Sequence, residues 1–414
     1  MMKFLHAADI HLGYRQYNHP ERFKDFGLAF EKIVDCAIKE QVQVCLLAGD
    51  LFHKSSINPA TLIQAESQLS RLREHDITTI AISGNHDRPR YGQAKTWLDY
   101  LASRNLMILL ESFEDGQYVV EGQSYIDVDG VRFVGMPWYG GSTRIVLEAI
   151  ADELPQIAWD GIRYGVLMAH TGIEGQMLNM PDSLRYEDVD PLREHIQYLA
   201  LGHLHKPYEA PSDDPWIYNP GAVENNSFDE ARFTAKGAFI VTIDDDGNAN
   251  VQKRIIKGRP FRIAEFSITK CRDFNMLVNQ LRETLEAEKE SWQDTQPPVV
   301  NLLLTGTLKF DRSRLDIEGL RQFAQECLDC LLVRINTRLD NIEILADYDD
   351  ELTAEQLERQ VFTDIAREKG YSERAEEWGH FMRGIKQKAL SKESPEHIYQ
   401  SLVGFLNTDK KGDA

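Results

Sequence analysis

The chain has 414 residues, of which 42% are apolar and 27% charged, and its formal charge is −20. That balance excludes a wholly disordered chain, and no run approaches the roughly 18–20 apolar residues of a membrane span. The net acidity also excludes a module that coats nucleic acid through its bulk charge, while leaving room for an enzyme with a local basic strip. At roughly 100–200 residues per domain, the length suggests two or three domains. An aspartate and a histidine follow too soon after the first residue for a secretory signal, so a cytoplasmic location without membrane association is expected. The five cysteines, Cys36, Cys45, Cys271, Cys327 and Cys330, are too few and odd in number for a disulfide framework. Cys327 and Cys330 fall in a stretch read as helical, Gln322 to Leu332, with no further ligands nearby. They are read as half-buried packing residues.

Strand and helix patterns alternate from the start. Lys3 to Ala7 is a short apolar strand, and Glu21 to Glu40 repeats Phe23, Phe26, Phe30, Ile33, Val34 and Ala37 at helical spacing. Val42 to Leu47 reads as a buried strand, Pro59 to Glu74 as a helix and Thr78 to Ile82 as a strand. Further strands are expected at Val131 to Gly135, Arg163 to Met168 and Tyr198 to Leu201. This alternation predicts an α/β sandwich with a sheet buried on both faces. Past residue 214 the texture turns to β segments broken by Pro, Gly and Asp, and the first domain is placed at 1–256. Residues 258–345 suit a small α+β domain with strands at Phe261 to Ile268, Val299 to Leu304 and Leu331 to Arg338. An acidic linker follows at 346–352, then a helical segment at 353–406. In that segment Thr353 and Gln356 make a capping box, Trp378, Phe381 and Met382 line the second helix, and Ser394-Pro395 opens the third.

The first 205 residues hold ten of the twelve histidines. Five polar clusters there each follow an expected strand: Asp9-Ile10-His11, Gly49-Asp50-Leu51-Phe52-His53, Gly84-Asn85-His86-Asp87, His170, and Gly202-His203-Leu204-His205. Ligands in open α/β sheets bind outside the carboxyl ends of the strands, so five such clusters should converge. In an extended chain, residues two apart share a side, which would aim Asp9 and His11, and likewise His203 and His205, at one region. Asp9, Asp50, Asn85, His11, His170, His203 and His205 are too many ligands for one ion and suit two, with Asp50 available as a bridge. Mixed N/O ligation without thiolate suits Mn²⁺, Fe²⁺ or Zn²⁺. Two such ions side by side are the usual device for phosphate-ester hydrolysis. His6, His19, His75 and His195 match no cluster and are read as packing or surface residues.

The ordered set D-x-H, G-D, G-N-H-D, lone H and G-H-x-H resembles the metallophosphoesterase (calcineurin-like) superfamily. The stretches Ala8 to Tyr14, Ala48 to His53 and Gly84 to Arg88 resemble the SbcD-type double-strand-break repair nuclease in particular. The resemblance is strong over 1–205, extends plausibly over 206–345 and is only architectural in the helical tail. It implies a metallophosphoesterase nuclease domain built as a β-sandwich flanked by helices, a small α+β, DNA-facing cap domain at 258–345 and a partner-binding helical segment at the C-terminal end. It also implies that Asp9, His11, Asp50 and His205 hold one ion and Asp50, Asn85, His170 and His203 the other, with manganese as the metal. His86 would stabilise or protonate the leaving oxygen, oriented by Asp87, and His53 would help position the phosphate.

The activities implied are 3′-to-5′ exonuclease on duplex ends and endonuclease on single strands and hairpins. The implied partners are DNA, an SMC-like ATPase subunit (SbcC-type) and a second copy of the chain. The second copy would bind through nuclease-domain helices carrying Phe26, Leu28 and Leu69. The location implied is cytoplasmic and nucleoid-associated. A phosphodiesterase or phosphatase acting on small nucleotides or phosphoproteins is the alternative activity. For the DNA grip, the basic stretch with Lys253, Arg254, Lys257 and Arg259 is one candidate. Arg15, Lys54, Arg88 and Arg90, close in sequence to the proposed metal loops, are the other.

Overall fold

The computed structural model describes residues 1–89, 94–111, 116–176, 183–341, 354–391 and 393–407. The first half alternates strand and helix: β1 (Met2–Ala7), α1 (Pro20–Glu40), β2 (Val44–Ala48), α2 (Pro59–Glu74), β3 (Thr78–Ile82), α3 (Trp97–Ser103) and β4 (Ile108–Leu109). Next come β5 (Tyr125–Val128), β6 (Val131–Met136), α4 (Thr143–Glu153), β7 (Tyr164–His170), α5 (Tyr186–Val189), β8 (Tyr198–Gly202), β9 (Tyr208–Ala210), β10 (Ile217–Asn219), β11 (Gly237–Ile243) and β12 (Ala249–Ile255). Two six-stranded sheets result, ordered β12-β11-β1-β2-β3-β4 and β5-β6-β7-β8-β10-β9.

Their faces explain the apolar runs. Phe4, Val44, Leu46 and Ile80 of one sheet meet Phe133, Val166, Met168 and Tyr198 of the other in a shared core. Phe4 sits edge-on to both Phe133 and Tyr198, with centroids 5.7 and 5.3 Å away. The alternate residues Leu5, Cys45 and Leu47 face α1, α2 and α3, while Val134, Leu167 and Leu199 face α4 and α5. A strand covered on both sides reads as continuous apolar sequence, which is what β2, β6 and β7 show. Phe26 and Leu69 are fully buried, whereas Leu28 and Ile63 on the same two helices are 47% and 64% exposed. The expected outer positions Phe26 and Leu69 are therefore core residues, because they fall on the helix faces turned toward the sheet.

His6 lies in this core, its Nε2–H donating to the Leu201 carbonyl and its Nδ1 accepting from the Tyr198 hydroxyl, each at 3.0 Å. Burial pushes its pKa down from 6.5 to about 3. Between those values the unfolded chain binds a proton that the folded ring refuses. Stability therefore falls with acid across that window, by about 1.4 kcal/mol per pH unit. Urea midpoints measured from pH 7 down to pH 4 should fall less steeply for His6→Gln, which keeps a donor and an acceptor but does not titrate. Parallel curves would contradict this role for His6.

By its internal contacts the chain divides into two units: Met1–Arg262 with Gln293–Asn301 and Cys330–Leu332, and the remainder. The elements past residue 260 are β13 (Phe261–Ser267), α6 (Phe274–Ser291), β14 (Val299–Leu308), α7 (Ile317–Leu328) and β15 (Leu332–Asn341), with the strands in one sheet ordered β13-β14-β15. Leu277, Leu281 and Leu285 form the buried stripe of α6, and Leu320, Ala324 and Leu328 that of α7. The helix expected to run from Gln322 to Leu332 ends at Leu328 instead, because Asp329 takes a left-handed conformation with φ 49°. Neither cysteine of the C-x-x-C is in a disulfide, and both are partly buried.

The acidic linker expected at 346–352, with Thr353 of the expected capping box, lies outside the described residues. After it come α8 (Ala354–Glu368), α9 (Ala375–Leu390) and α10 (Pro395–Asn407). Phe405 of α10 stacks on Phe381 at 4.0 Å and meets Trp378 edge-on at 4.8 Å. The aromatic residues of α9 are thus used between helices of the tail itself. No helix among the described residues is long and apolar enough to cross a membrane.

Candidate metal centre

All five clusters stand at strand ends: Asp9 after β1, Asp50 after β2, Asn85 after β3, His170 as the last residue of β7, and His203 after β8. The loops after β1 and β2 run side by side, with the amides of Asp9 and His11 donating to the carbonyls of Gly49 and Asp50 at 3.1 and 3.0 Å. Asp9, His11, Asp50 and His203 have positive φ, at 55°, 54°, 53° and 81°. The shared aim of Asp9 and His11 therefore comes from left-handed turns and not from an extended chain. Non-glycine residues in that region cost of order 1–3 kcal/mol each and cluster at functional sites.

The side chains meet at one pocket. Both carboxylate oxygens of Asp9 accept the His203 amide at 3.1 Å. Asp50 accepts the His86 amide on Oδ1 at 2.9 Å and places Oδ2 3.3 Å from His170 Nε2 and 3.9 Å from His11 Nε2. Asn85 Oδ1 lies 3.2 Å from His170 Nε2 and 3.1 Å from His203 Nδ1. His11 Nε2 lies 3.0 Å from His205 Nε2. Three groups each bring their donor atoms within 4.8 Å of one another: Asp9 with His11 and His205, Asp9 with Asp50 and His170, and His11 with His53 and His86.

This donor set fits divalent cations. His170 Nδ1 is 2.8 Å from the Ala48 carbonyl, which can only accept, so that nitrogen carries a proton and Nε2 is the nitrogen on which a bound cation would replace a proton. His205 Nδ1 is likewise engaged, by Glu230 at 3.0 Å. Nδ1 of His11 is buried without a partner. Two nitrogens each roughly 2.1 Å from one ion and at right angles lie about 3 Å apart, which matches the His11–His205 spacing. Electrostatics agree with a site that seeks positive charge. Burial raises the Asp9 carboxyl to about 6, with the neighbouring Asp50 adding to the rise and His205 and His170 opposing it. Burial would raise Asp50 too, but His170, His11 and His86 together hold it below the usual carboxylate range. Burial disfavours the His170 cation, yet Asp50 and Asp9 bring that ring up to about 9.

The glycines complete the cradle. A Cβ on Gly49 would run into the His170 ring, and one on Gly84 into the Asp50 carboxylate. Gly84 has no positive φ. Gly84→Ala should therefore keep the fold, as read by circular dichroism, and lower activity at least about 100-fold by displacing Asp50. An active Gly84→Ala enzyme would show that Asp50 tolerates the shift.

Among the described contacts the Asp87 carboxylate is not paired with the His86 ring, contrary to expectation. Its carboxylate accepts the amides of Leu51, Phe52 and Gly84 at 3.2, 3.0 and 3.1 Å and ties two loops together. Burial, with Asp50 adding to it, raises that carboxyl to about 7. The His86 ring is oriented by the His53 carbonyl, which accepts from Nδ1–H at 2.7 Å. His53 in turn stacks on Tyr14 with centroids 3.7 Å apart, and burial lowers its pKa to about 4.

The basic candidates divide. Arg15, Lys54, Arg88 and Lys257 are exposed, with the Arg88 guanidinium 5.2 Å over the Trp138 ring. Arg254 is paired with Glu40 at 2.8 Å and Arg259 with Asp25 at 2.6 Å, while Lys253 lies over Phe239 at 5.3 Å. The arginines of the 252–262 stretch are therefore not a free basic strip, because acids distant in sequence pair with Arg254, Arg259 and Arg262. Arg90 lies outside the described residues. Glu230 and the Tyr14 stack had no sequence signal.

Residues 2–207 match the family described as calcineurin-like phosphoesterase. Among curated proteins, the DNA double-strand break repair protein Mre11 of Archaeoglobus fulgidus is 31% identical over 246 residues, covering 56% of this chain and 52% of that protein. The Mre11 of Saccharolobus solfataricus is 30% identical, covering 59% of this chain and 61% of that protein. The Mre11 of Sulfolobus acidocaldarius is 22% identical over 412 residues, covering 94% of this chain and 100% of that protein. The chain thus spans about half to three fifths of the length of the first two relatives. It carries, at residues 2–207, a calcineurin-like phosphoesterase domain.

Proposed function

We propose that the chain is a two-metal DNA nuclease of the double-strand-break repair class. One observation carries the reading: five strand-end loops bring together Asp9, His11, Asp50, His170 and His205, in groups whose donor atoms lie within 4.8 Å, and Asn85, whose Oδ1 is 3.2 Å from His170 and 3.1 Å from His203. The relatives' names supply DNA as the substrate class. In this reading Asp9, His11, Asp50 and His205 hold one ion, and Asp50, Asn85, His170 and His203 the other, with Mn²⁺ as the metal. The ions, when bound, supply charge against the phosphate oxygens and favour ionisation of the attacking water.

The protein's own groups do the rest. Asp50, 3.3 Å from His170 and 3.9 Å from His11, stands between the two ligand sets. His86, tied by Nδ1 to the His53 carbonyl and partly exposed, presents Nε2 to pass a proton to the leaving oxygen. His53 lines the same edge and helps position the phosphate. Asp87 holds the loops in register. Arg15, Lys54 and Arg88 contact backbone phosphates.

The proposed activities are 3′-to-5′ exonuclease on duplex ends and endonuclease on single strands and hairpins. Residues 1–256 are the nuclease domain and 258–345 the DNA-facing cap. The segment 353–406 docks on an SMC-like ATPase subunit. Leu390 and Tyr399, 73% and 62% exposed, are better candidates for that contact than the self-packed Trp378 and Phe381. A homodimer face is assigned to α1 and α2 around Leu28 and Ile63. A cytoplasmic, nucleoid-associated location goes with this substrate.

Purified chain with Mn²⁺ should cleave labelled hairpin, duplex and single-stranded DNA as well as bis-p-nitrophenyl phosphate. Hydrolysis of the small ester with no DNA cleavage would place the chain among phosphodiesterases or phosphatases of small nucleotides or phosphoproteins.

A further inference from the structure

His205 differs from the other imidazoles of the pocket in how it is held. His170 and His86 donate their Nδ1 protons to backbone carbonyls, of Ala48 and His53. His205 has a carboxylate instead, with Glu230 Oε1 3.0 Å from its Nδ1 and the Asn226 side-chain amide, at 3.3 Å, the more distant neighbour of the same nitrogen. Glu230 sits in a short 3-10 turn, Asp229–Arg232, and its side chain is 13% exposed. It is itself held on several sides. Ser227 Oγ donates to Oε1 at 3.2 Å, and the Asn226 amide donates to Oε2 at 2.9 Å. The Lys236 ammonium approaches Oε2 at 3.4 Å and donates to Asn225 Oδ1 at 2.7 Å. Lys236 is only 4% exposed. A buried lysine and a largely buried glutamate are costly in a folded chain unless each offsets the other. Their placement behind a proposed metal ligand therefore calls for a role.

We propose that Glu230 is the positioning residue that fixes His205 for metal binding, with Lys236 anchoring Glu230 from behind. This rests on the metal-centre reading above. A carboxylate at Nδ1 accepts a hydrogen bond from Nδ1–H, which holds the proton on that nitrogen and leaves the lone pair on Nε2, the atom that faces His11 at 3.0 Å. It also increases the electron density the ring offers a cation, which a neutral carbonyl does less well. The effect is local to one of the two ligand sets, because Glu230 touches His205 and none of Asp50, Asn85, His170 or His203 among the contacts described. Glu230 thus tightens and orders the ion held through His205 without acting on the other.

The test uses the full chain, stripped of metal and titrated with Mn²⁺ by calorimetry. Glu230→Ala removes the acceptor. Glu230→Leu with Lys236→Met removes both charges together, so that neither is stranded and the fold is spared. Glu230→Gln restores an oxygen that can accept from Nδ1–H. In the first two proteins one of two Mn²⁺ sites should weaken about 10–100-fold while the other stays within about twofold. Glu230→Gln should recover most of the loss. The ¹⁵N spectrum of metal-free, histidine-labelled protein, with His205 assigned by its loss in His205→Gln, should show Nδ1–H in the parent and a tautomer mixture in Glu230→Ala. Two undisturbed Mn²⁺ sites in both acceptor-less variants, or an unchanged His205 tautomer, would overturn the proposal. A parent chain that binds fewer than two Mn²⁺ ions would instead overturn the binuclear reading itself, so the two failures are distinguishable.

Discussion

Asp50→Asn is expected to abolish metal binding at both positions and DNA cleavage with it. The substitution keeps the side chain's shape and the Oδ1 that accepts the His86 amide at 2.9 Å. What it removes is the charge at Oδ2, which lies 3.3 Å from His170 Nε2 and 3.9 Å from His11 Nε2, between the two rings. Charge against the phosphate oxygens is worth several kcal/mol, and each 1.36 kcal/mol is tenfold in rate. The loss should exceed about 1,000-fold. Elemental analysis after gel filtration checks the metal and a hairpin-cleavage assay checks the rate. Retention of two ions by Asp50→Asn would remove Asp50 from its bridging place. DNA binding by the variant should survive, since phosphates are gripped mainly by basic side chains.

His86→Ala should separate chemistry from metal. The His86 ring is oriented by a carbonyl and does not lie within the two four-ligand sets proposed for the ions. Its removal should leave two Mn²⁺ bound and lower the rate on the order of 10²–10⁴-fold, the usual worth of a positioned acid. His203→Ala, which removes a ring nitrogen 3.1 Å from Asn85 Oδ1, should disturb metal content instead. The three-histidine group of His11, His53 and His86 supplies the competing outcome. If that group holds an ion, His86→Ala will strip metal as thoroughly as His203→Ala does.

Much of this centre was legible in the sequence for a simple reason. Parallel strands are read from apolar runs, and the carboxyl ends of neighbours within a sheet lie together, which sets Asp9, Asp50 and Asn85 side by side and His170 beside His203; that the two groups meet is due to the packing of the two sheets. The reason offered for the aim of Asp9 and His11 was nevertheless incorrect, because backbone sign is invisible in a D-x-H pattern. Adjacency in sequence also misled at Asp87, whose carboxylate turns away from His86 to bind amides 35 and 36 residues distant. The basic stretch around Arg254 and Arg259 looked free because its neutralising acids, Glu40 and Asp25, are 214 and 234 residues away. Glu230, 25 residues after His205 with only irregular chain and short strands between, falls in the same class. Such partners are set by tertiary packing, which no local pattern encodes. Helix α4 also escaped notice, since a single 11-residue amphipathic stretch beside glycines carries little periodic signal.

The most direct measurement is the manganese anomalous scattering of crystals grown with Mn²⁺. The account predicts two peaks roughly 3.5–4 Å apart, one beside Asp9, His11 and His205, the other beside Asn85, His170 and His203, with Asp50 touching both. A single ion, or an ion held by His11, His53 and His86 in place of either, would contradict it.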